Sequence, residues 1–205
     1  MKRLPLNFPL TAGLVWLITL SSALRAASVS QTPELISVSE LGAKAGVQYQ
    51  GDGLSVVATP EGARLRCVFQ KLEGQVTREG LWLVSTVEPQ TGDKFRVVAS
   101  AVGRSGGVSA LAIRGDVTVT DKLARCLRPA LTEEYSVNVD GVQQDFVVMQ
   151  RPDGDGALRV ELDVTGAKAG PKANGARLVL AGSGRKIAYS RLHVQDANGN
   201  TLAAR

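Results

Sequence analysis

Residues 135–149 read YSVNVDGVQQDFVVM, and their side chains alternate between apolar and polar on both sides of Asp140-Gly141. An Asp-Gly pair between two such runs strongly indicates a β-hairpin, because a type I′ turn needs positive φ at both central residues. The predicted cross-strand pairs are Val139 with Val142, Val137 with Gln144, and Tyr135 with Phe146. One face of this ribbon is then apolar apart from a single glutamine. A lone hairpin is only marginally stable in water, so that face must be covered by another layer.

Short alternating runs separated by turns continue along the chain from Val47. No long segment keeps apolar residues at helical spacing. The pattern predicts an all-β fold, an antiparallel β-sandwich built of consecutive hairpins. A glycine-rich break, GRSGG (103–107), indicates a possible boundary in this part of the chain. We divide the chain into a first β-rich half (47–112) and a second (113–205), which form either one domain or two subdomains. Within the second half, residues 165–176 are predicted to be a loop.

The first 26 residues have the layout of a secretory signal peptide: a positively charged start, an apolar run over 10–20, and small residues around Ala23 and Ala26. The apolar run is short for a bilayer span, although an uncleaved membrane anchor is the alternative. We therefore expect a secreted protein with no stable membrane span. Residues 27–46 are polar and mixed, and are predicted to be a linker carrying at most one short helix.

Composition excludes several classes of function. The net charge falls from +5 to +2 when Lys2, Arg3 and Arg25 leave with the signal peptide. A nearly neutral body with few aromatic residues has neither the basic stripe nor the stacking platform that nucleic acid requires. There is one histidine and no cysteine–histidine cluster, so a structural zinc site is excluded. We expect no cofactor.

The two cysteines, Cys67 and Cys126, leave two alternatives open. In an oxidising compartment an even pair indicates one disulfide, which would stabilise the fold by roughly 4 kcal/mol because it closes a long loop. The other alternative is two separate buried thiols.

A G-x-S-x-G motif around Ser105 matches the nucleophile elbow of α/β-hydrolases, and His193 could complete the chain order of a triad. An elbow needs a helix directly after the serine, whereas the sequence that follows Gly107 reads as a strand. We therefore interpret the motif as a hairpin turn. His193 alternates with Leu192 and Val194 and is expected at the surface.

Two segments, 153–156 and 196–200, carry acidic or amide oxygens at alternate positions, as calcium loops do. Neither has glycine at the sixth position of an EF-hand loop, so we interpret both as turns stabilised by Asx side chains, with Asp196 as a weak calcium candidate. Residues 182–186 are too short for a phosphate-binding loop and are predicted to be a turn. Trp82 is the one aromatic residue that we single out as a candidate ligand platform.

The last third of the chain resembles the N-terminal β-rich region of very large exported bacterial proteins, in which such strings precede propeller-type or related β-repeat arrays. The matching residues are Glu134, Tyr135, Gln144, Asp145, Phe146, Leu158, Val160, Leu162, Tyr189, Leu192, Val194, Asp196 and Gly199. The resemblance implies no catalytic residue. It implies downstream β-repeat domains of the same polypeptide as partners, which fits a second half that enters a strand at residue 201 without a closing element.

These observations lead us to expect a secreted, non-catalytic β-sandwich module that is the N-terminal scaffold of a larger extracellular or cell-surface protein. The first alternative is a carbohydrate-binding module that uses Trp82 to bind a glycan or another cell-surface component. The second alternative is a serine hydrolase that uses Ser105.

Overall fold

The computed structural model describes residues 51–88, 92–173 and 175–204. The signal peptide and the linker predicted over residues 27–46 lie outside the described residues. Every regular element described is a β-strand. In chain order the strands are β1 (Leu54–Thr59), β2 (Gly62–Cys67), β3 (Leu72–Thr77), β4 (Gly80–Ser85), β5 (Lys94–Arg104), β6 (Gly107–Ala110), β7 (Asp116–Thr120), β8 (Leu123–Leu127), β9 (Leu131–Asn138), β10 (Gly141–Val148), β11 (Leu158–Thr165), β12 (Ala167–Lys172), β13 (Gly175–Leu180), β14 (Lys186–Ser190), β15 (Val194–Gln195) and β16 (Thr201–Leu202).

The strands form four antiparallel sheets. A seven-stranded sheet has the order β1-β2-β3-β4-β5-β11, and β6 also pairs with β5. A four-stranded sheet has the order β10-β9-β8-β7, a three-stranded sheet the order β12-β13-β14, and β15 pairs with β16 alone. The described part of the chain holds no helix long and apolar enough to span a membrane. The predicted all-β antiparallel class is confirmed, and the layers are those of a β-sandwich.

Three hydrophobic clusters hold the layers together. In the first, Leu65 and Val76 of the seven-stranded sheet pack with Ala124 and Tyr135 of the four-stranded sheet. The second joins Cys67, Leu72, Phe95 and Val97 to Leu178 and Leu180 of β13. The third joins Ala99 and Val102 of β5 to Leu131 of β9. Strand β5 therefore contacts both the four-stranded and the three-stranded sheets, which places it at the centre of the core.

The two β-rich halves share a sheet. Strand β11, from the second half, pairs with β5, from the first, between Leu158↔Arg104 and Thr165↔Arg96. A bulge falls between Glu161 and Leu162, where Ser100 of β5 has no paired residue and its hydroxyl donates to the Glu161 carbonyl oxygen at 3.3 Å. The glycine-rich break itself is the turn of the β5–β6 hairpin rather than a linker.

The Asp140-Gly141 hairpin forms, but its register is two residues away from the predicted one. Val142 pairs with Val137, and the central turn residues are Val139 and Asp140. The cause of this register is Asn138, the residue before the turn. Its Oδ1 accepts hydrogen bonds from the backbone N–H of Asp140 at 2.8 Å and of Gly141 at 3.1 Å. A shift of two residues leaves every side chain on its predicted face.

Two further predictions need correction. The loop predicted over residues 165–176 contains β12, which pairs with β13 from Ala167↔Leu180 to Lys172↔Gly175. The alternation in ARLRCVFQ (63–70) also predicts that Leu65, Cys67 and Phe69 share a face. Phe69 does not, because β2 ends at Cys67 and Phe69 lies half-exposed in the following turn.

Candidate functional site

A buried ion pair lies between the two larger sheets. Glu133 has no solvent exposure and its partner Arg128 has 3%. The carboxylate also accepts hydrogen bonds from the backbone N–H of Ala99 at 3.1 Å, from the Tyr135 hydroxyl at 2.9 Å and from the Gln144 amide at 2.5 Å. The guanidinium in turn donates to the Ala99 carbonyl oxygen at 2.8 Å. We call these five residues the polar lock, since they bond β5 to the four-stranded sheet.

Local structure explains how the two charges enter the core. Strand β9 turns alternate residues inward, so Glu133 shares the buried face of Leu131 and Tyr135. Arg128 follows the last residue of β8 and exchanges two backbone hydrogen bonds with Leu131 across a tight turn. Sequence analysis missed Glu133, although the alternation of the hairpin already places it on the apolar face. It was not singled out because a charged residue is seldom expected in a hydrophobic core.

Two tyrosines act as neutral hydrogen-bond donors within this region. Burial raises the pKa of Tyr135 far above its ordinary value, and burial together with the nearby Asp145 carboxylate raises the pKa of Tyr189 to about 12. The Tyr189 hydroxyl donates to Gln144 Oε1 at 3.3 Å, which extends the polar lock to the three-stranded sheet. Because the Glu133 carboxylate already has several donors, it is suited to structural bonding rather than to proton transfer.

A cavity of about 210 Å³ lies between the layers. Its walls are polar and apolar in similar measure, and Gln144 and Tyr189 are among the polar groups that line it. The space equals that of several water molecules. Its lining comes from all three larger sheets, so the cavity is part of the interlayer packing.

Polar contacts between turns surround this cavity. The Arg185 guanidinium donates to the backbone carbonyl oxygens of Gln70 at 2.6 Å and Lys71 at 3.1 Å, which joins the β13–β14 turn to the β2–β3 turn. Asp93 is buried and accepts hydrogen bonds from Ser183, which lower the pKa of its carboxyl group. Residues 182–185 therefore lie in the predicted turn, whereas Lys186 begins β14, and the turn anchors the three-stranded sheet to the seven-stranded one.

Trp82 lies on the outer face of the seven-stranded sheet and is half-buried. The Lys94 ammonium is 4.5 Å from the centre of its ring and the Arg96 guanidinium is 4.8 Å from it. Gln75 is its cross-strand neighbour on β3. The ring is thus packed beneath two cations, an arrangement in which cation–π attraction orders both.

The two cysteines are free and buried in different clusters. Cys67 packs with Phe95 in the second cluster, and Cys126 packs with Leu65 in the first. Burial raises the pKa of both thiols. Of the two alternatives left open by the sequence, the structure has the separate buried thiols, and both are held in the unreactive protonated form.

Ser105 occupies the turn between β5 and β6, so a strand follows it as expected. Its hydroxyl donates to the Ala157 carbonyl oxygen at 3.4 Å. His193 is exposed between β14 and β15, and among the described contacts no hydrogen bond joins it to Ser105. The geometry does not assemble these two residues into a nucleophile–base pair.

The calcium candidate is an Asx-stabilised turn. Asp196 Oδ1 accepts hydrogen bonds from the backbone N–H of Asn198 at 2.9 Å and of Asn200 at 2.8 Å, and Oδ2 accepts one from the Asn200 side-chain amide at 2.9 Å. The Asn200 side-chain bond, followed by the backbone bonds, lowers the pKa of the carboxyl group. The other segment, 153–156, is exposed and has positive φ at Gly154 and Gly156. Within residues 51–88, 92–173 and 175–204, no group of three or more potential metal ligands is present.

No protein family, no curated protein and no solved structure matches this chain.

Proposed function

We propose that the chain is a secreted, non-catalytic β-sandwich module that is the N-terminal structural region of a larger extracellular or cell-surface protein. Its partners in this proposal are β-rich domains of the same polypeptide. The module would act mechanically, as a rigid layered unit on which the neighbouring domains are presented.

The observation that carries the proposal is the polar lock. A buried ion pair is costly to desolvate, and its best-attested benefit is to fix one arrangement of the surrounding elements. Here three bonds cross from the four-stranded sheet to β5: Glu133 accepts from the Ala99 N–H, Arg128 donates to the Ala99 carbonyl oxygen, and Gln144 donates to the Val97 carbonyl oxygen at 3.0 Å. Sliding of the two sheets would break all three at once. A unit of this kind is suited to hold a fixed shape.

The β15–β16 hairpin supports the proposed contact with further β domains. It is flanked by Leu192, which is 60% exposed, and Leu202, which is 48% exposed. The hairpin has only two paired residues on each strand, Val194↔Leu202 and Gln195↔Thr201. Apolar side chains beside a short exposed ladder are the kind of surface that another β layer covers.

Export is tested in bacterial cells with a fusion protein in which a phosphatase follows residue 205 of the full chain. The phosphatase needs disulfide bonds and is therefore active only outside the cytosol. We expect phosphatase activity and a mature N-terminus after Ala26 or Ala23, measured by mass spectrometry. Deleting residues 1–26 should abolish the activity. Recovery of the intact precursor from inside the cells would refute the proposal.

The scaffold role is tested in the same fusion with Glu133→Gln, and with Asp163→Asn as the control because Asp163 is exposed. Glu133→Gln should lower the yield of protease-resistant exported fusion, since a less stable module is degraded more often. The control should match the original chain. Equal yields from all three proteins would show that the downstream domain does not depend on this module.

A further inference from the structure

The nearly neutral composition predicts no basic stripe, but strand pairing gathers positive charge around one aromatic ring on the outer face of the seven-stranded sheet. We call this surface the cationic face; its members are Arg64, Arg66, Gln75, Trp82, Lys94 and Arg96. Side chains alternate along β2 to β5, so these residues point away from the core. Their neighbours along the strands, among them Leu65, Val76 and Phe95, point into it. The only carboxylate among the outward residues of these strands is Glu73.

Charge on the cationic face is only partly neutralised. Glu73 lies 3.3 Å from Arg64 and 4.0 Å from Arg66, and all three side chains are well exposed. Among the described residues no carboxylate forms a salt bridge with Lys94 or Arg96. Both instead lie over the ring of Trp82. Arg96 also donates to the Glu79 carbonyl oxygen at 3.1 Å, so the ring and this bond together hold two neighbouring cations that would otherwise repel each other.

The spacing of these groups fits an extended ligand. Adjacent strands lie about 4.8 Å apart, so the cations of β2 (Arg64, Arg66) and those of β5 (Lys94, Arg96), three strands away, are separated by about 14 Å across the sheet. The surface between them is a continuous antiparallel ladder that includes Gln75 and Trp82. A flexible polymer with a negative charge on each unit could contact two or more of these cations at once.

We propose that the cationic face binds a carboxylated polysaccharide. Arginine pairs with carboxylates through two parallel N–H···O bonds, and the Gln75 amide is placed to bond sugar hydroxyls. Nucleic acid is less well matched, since binding a single strand generally uses several rings on which successive bases stack, and the face has one. The proposal goes beyond the structural role above and requires no catalytic group.

The test is electrophoresis of the purified full-length chain through gels that contain polygalacturonate, with neutral dextran as the reference polymer. We expect retardation by polygalacturonate that weakens with added salt and none by dextran. The Lys94→Gln/Arg96→Gln variant should bind at least tenfold more weakly, because two charge-assisted contacts are lost. Trp82→Leu should also weaken binding, since it removes the ring that positions Lys94 and helps to position Arg96 while keeping both charges.

The matched control is Lys168→Gln/Lys172→Gln, which removes the same charge from exposed positions on β12. It should bind as the original chain does, and circular dichroism should show that every variant keeps its fold. Equal weakening by both double variants would reduce the effect to net charge and overturn the proposal. Retardation by dextran, or tighter binding to single-stranded DNA than to polygalacturonate, would also overturn it. This binding test and the export test can fail independently.

Discussion

Removing one charge of the buried ion pair should destabilise the protein far more than removing both. Arg128→Met leaves the Glu133 carboxylate in the core without its counter-charge, and Glu133→Gln leaves the guanidinium in the same condition. Breaking a buried pair in this way costs about 3–5 kcal/mol. For a chain of this size that corresponds to a fall in Tm of about 6–20 °C.

The double variant Arg128→Met/Glu133→Gln removes both charges together. What remains lost is part of the hydrogen bonding with Ala99 and Tyr135, because a glutamine at position 133 can still accept, and this loss is worth about 1–3 kcal/mol in total. The double variant should therefore be no less stable than either single variant. The two effects should be non-additive by at least about 2 kcal/mol.

The assay is equilibrium unfolding in urea, followed by circular dichroism, for the original chain, both single variants and the double variant. The exposed pair Arg159–Glu161, whose charges lie 3.0 Å apart, is the control. Its cycle, Arg159→Met/Glu161→Gln, should give a coupling below about 1 kcal/mol. Additive effects at Arg128 and Glu133, or single variants within 1 kcal/mol of the original chain, would refute the reasoning.

Three other outcomes follow from the structure. Gly166→Ala should lower the free energy of unfolding, measured in urea, by at least about 2 kcal/mol more than Gly184→Ala does. The two glycines have similar φ (75° and 70°), but an added Cβ would collide with backbone only at Gly166. Equal losses of stability would contradict this. Tyr189 should ionise at a higher pH than a free tyrosine in an ultraviolet titration, because its folded pKa of about 12 is above the unfolded value of about 10. Its contribution to the free energy of unfolding should therefore be complete below pH 10 and be lost as the pH rises through about 12. A Tyr189→Phe protein with an unchanged titration curve would argue against this. Cys67 and Cys126 should resist a thiol reagent at pH 8 until the protein is unfolded, whereas a linked pair in the native mass spectrum would contradict the free thiols.

Local signals account for the parts of the fold that were predicted correctly. The strands around residues 54–67 and 116–127 contain alternating runs bounded by turn residues, and both hairpins form. Strand β3 was not predicted, because its central inward position is Gly74, which breaks the apolar alternation. Packing explains that glycine: an added Cβ would lie 2.9 Å from Leu81 and 3.1 Å from Leu83.

The candidate site was predicted only in part. Trp82 was singled out from the sequence, but the cations that cover it come from β5 and became its neighbours only through pairing of β4 with β5. The buried position of Glu133 could be inferred from alternation along its strand. Its partner Arg128 lies in a turn, where no periodicity applies.

The sequence by itself determined the all-β class and the face on which each side chain of the Asp140-Gly141 hairpin lies, because alternation has a period of two residues and is a local property. Only the tertiary structure decided the pairing of β11 with β5, the burial of the Arg128–Glu133 pair and the separation of the two thiols. Each of these depends on contacts between segments distant in the chain, whose free energy is set by packing across layers rather than by neighbouring residues.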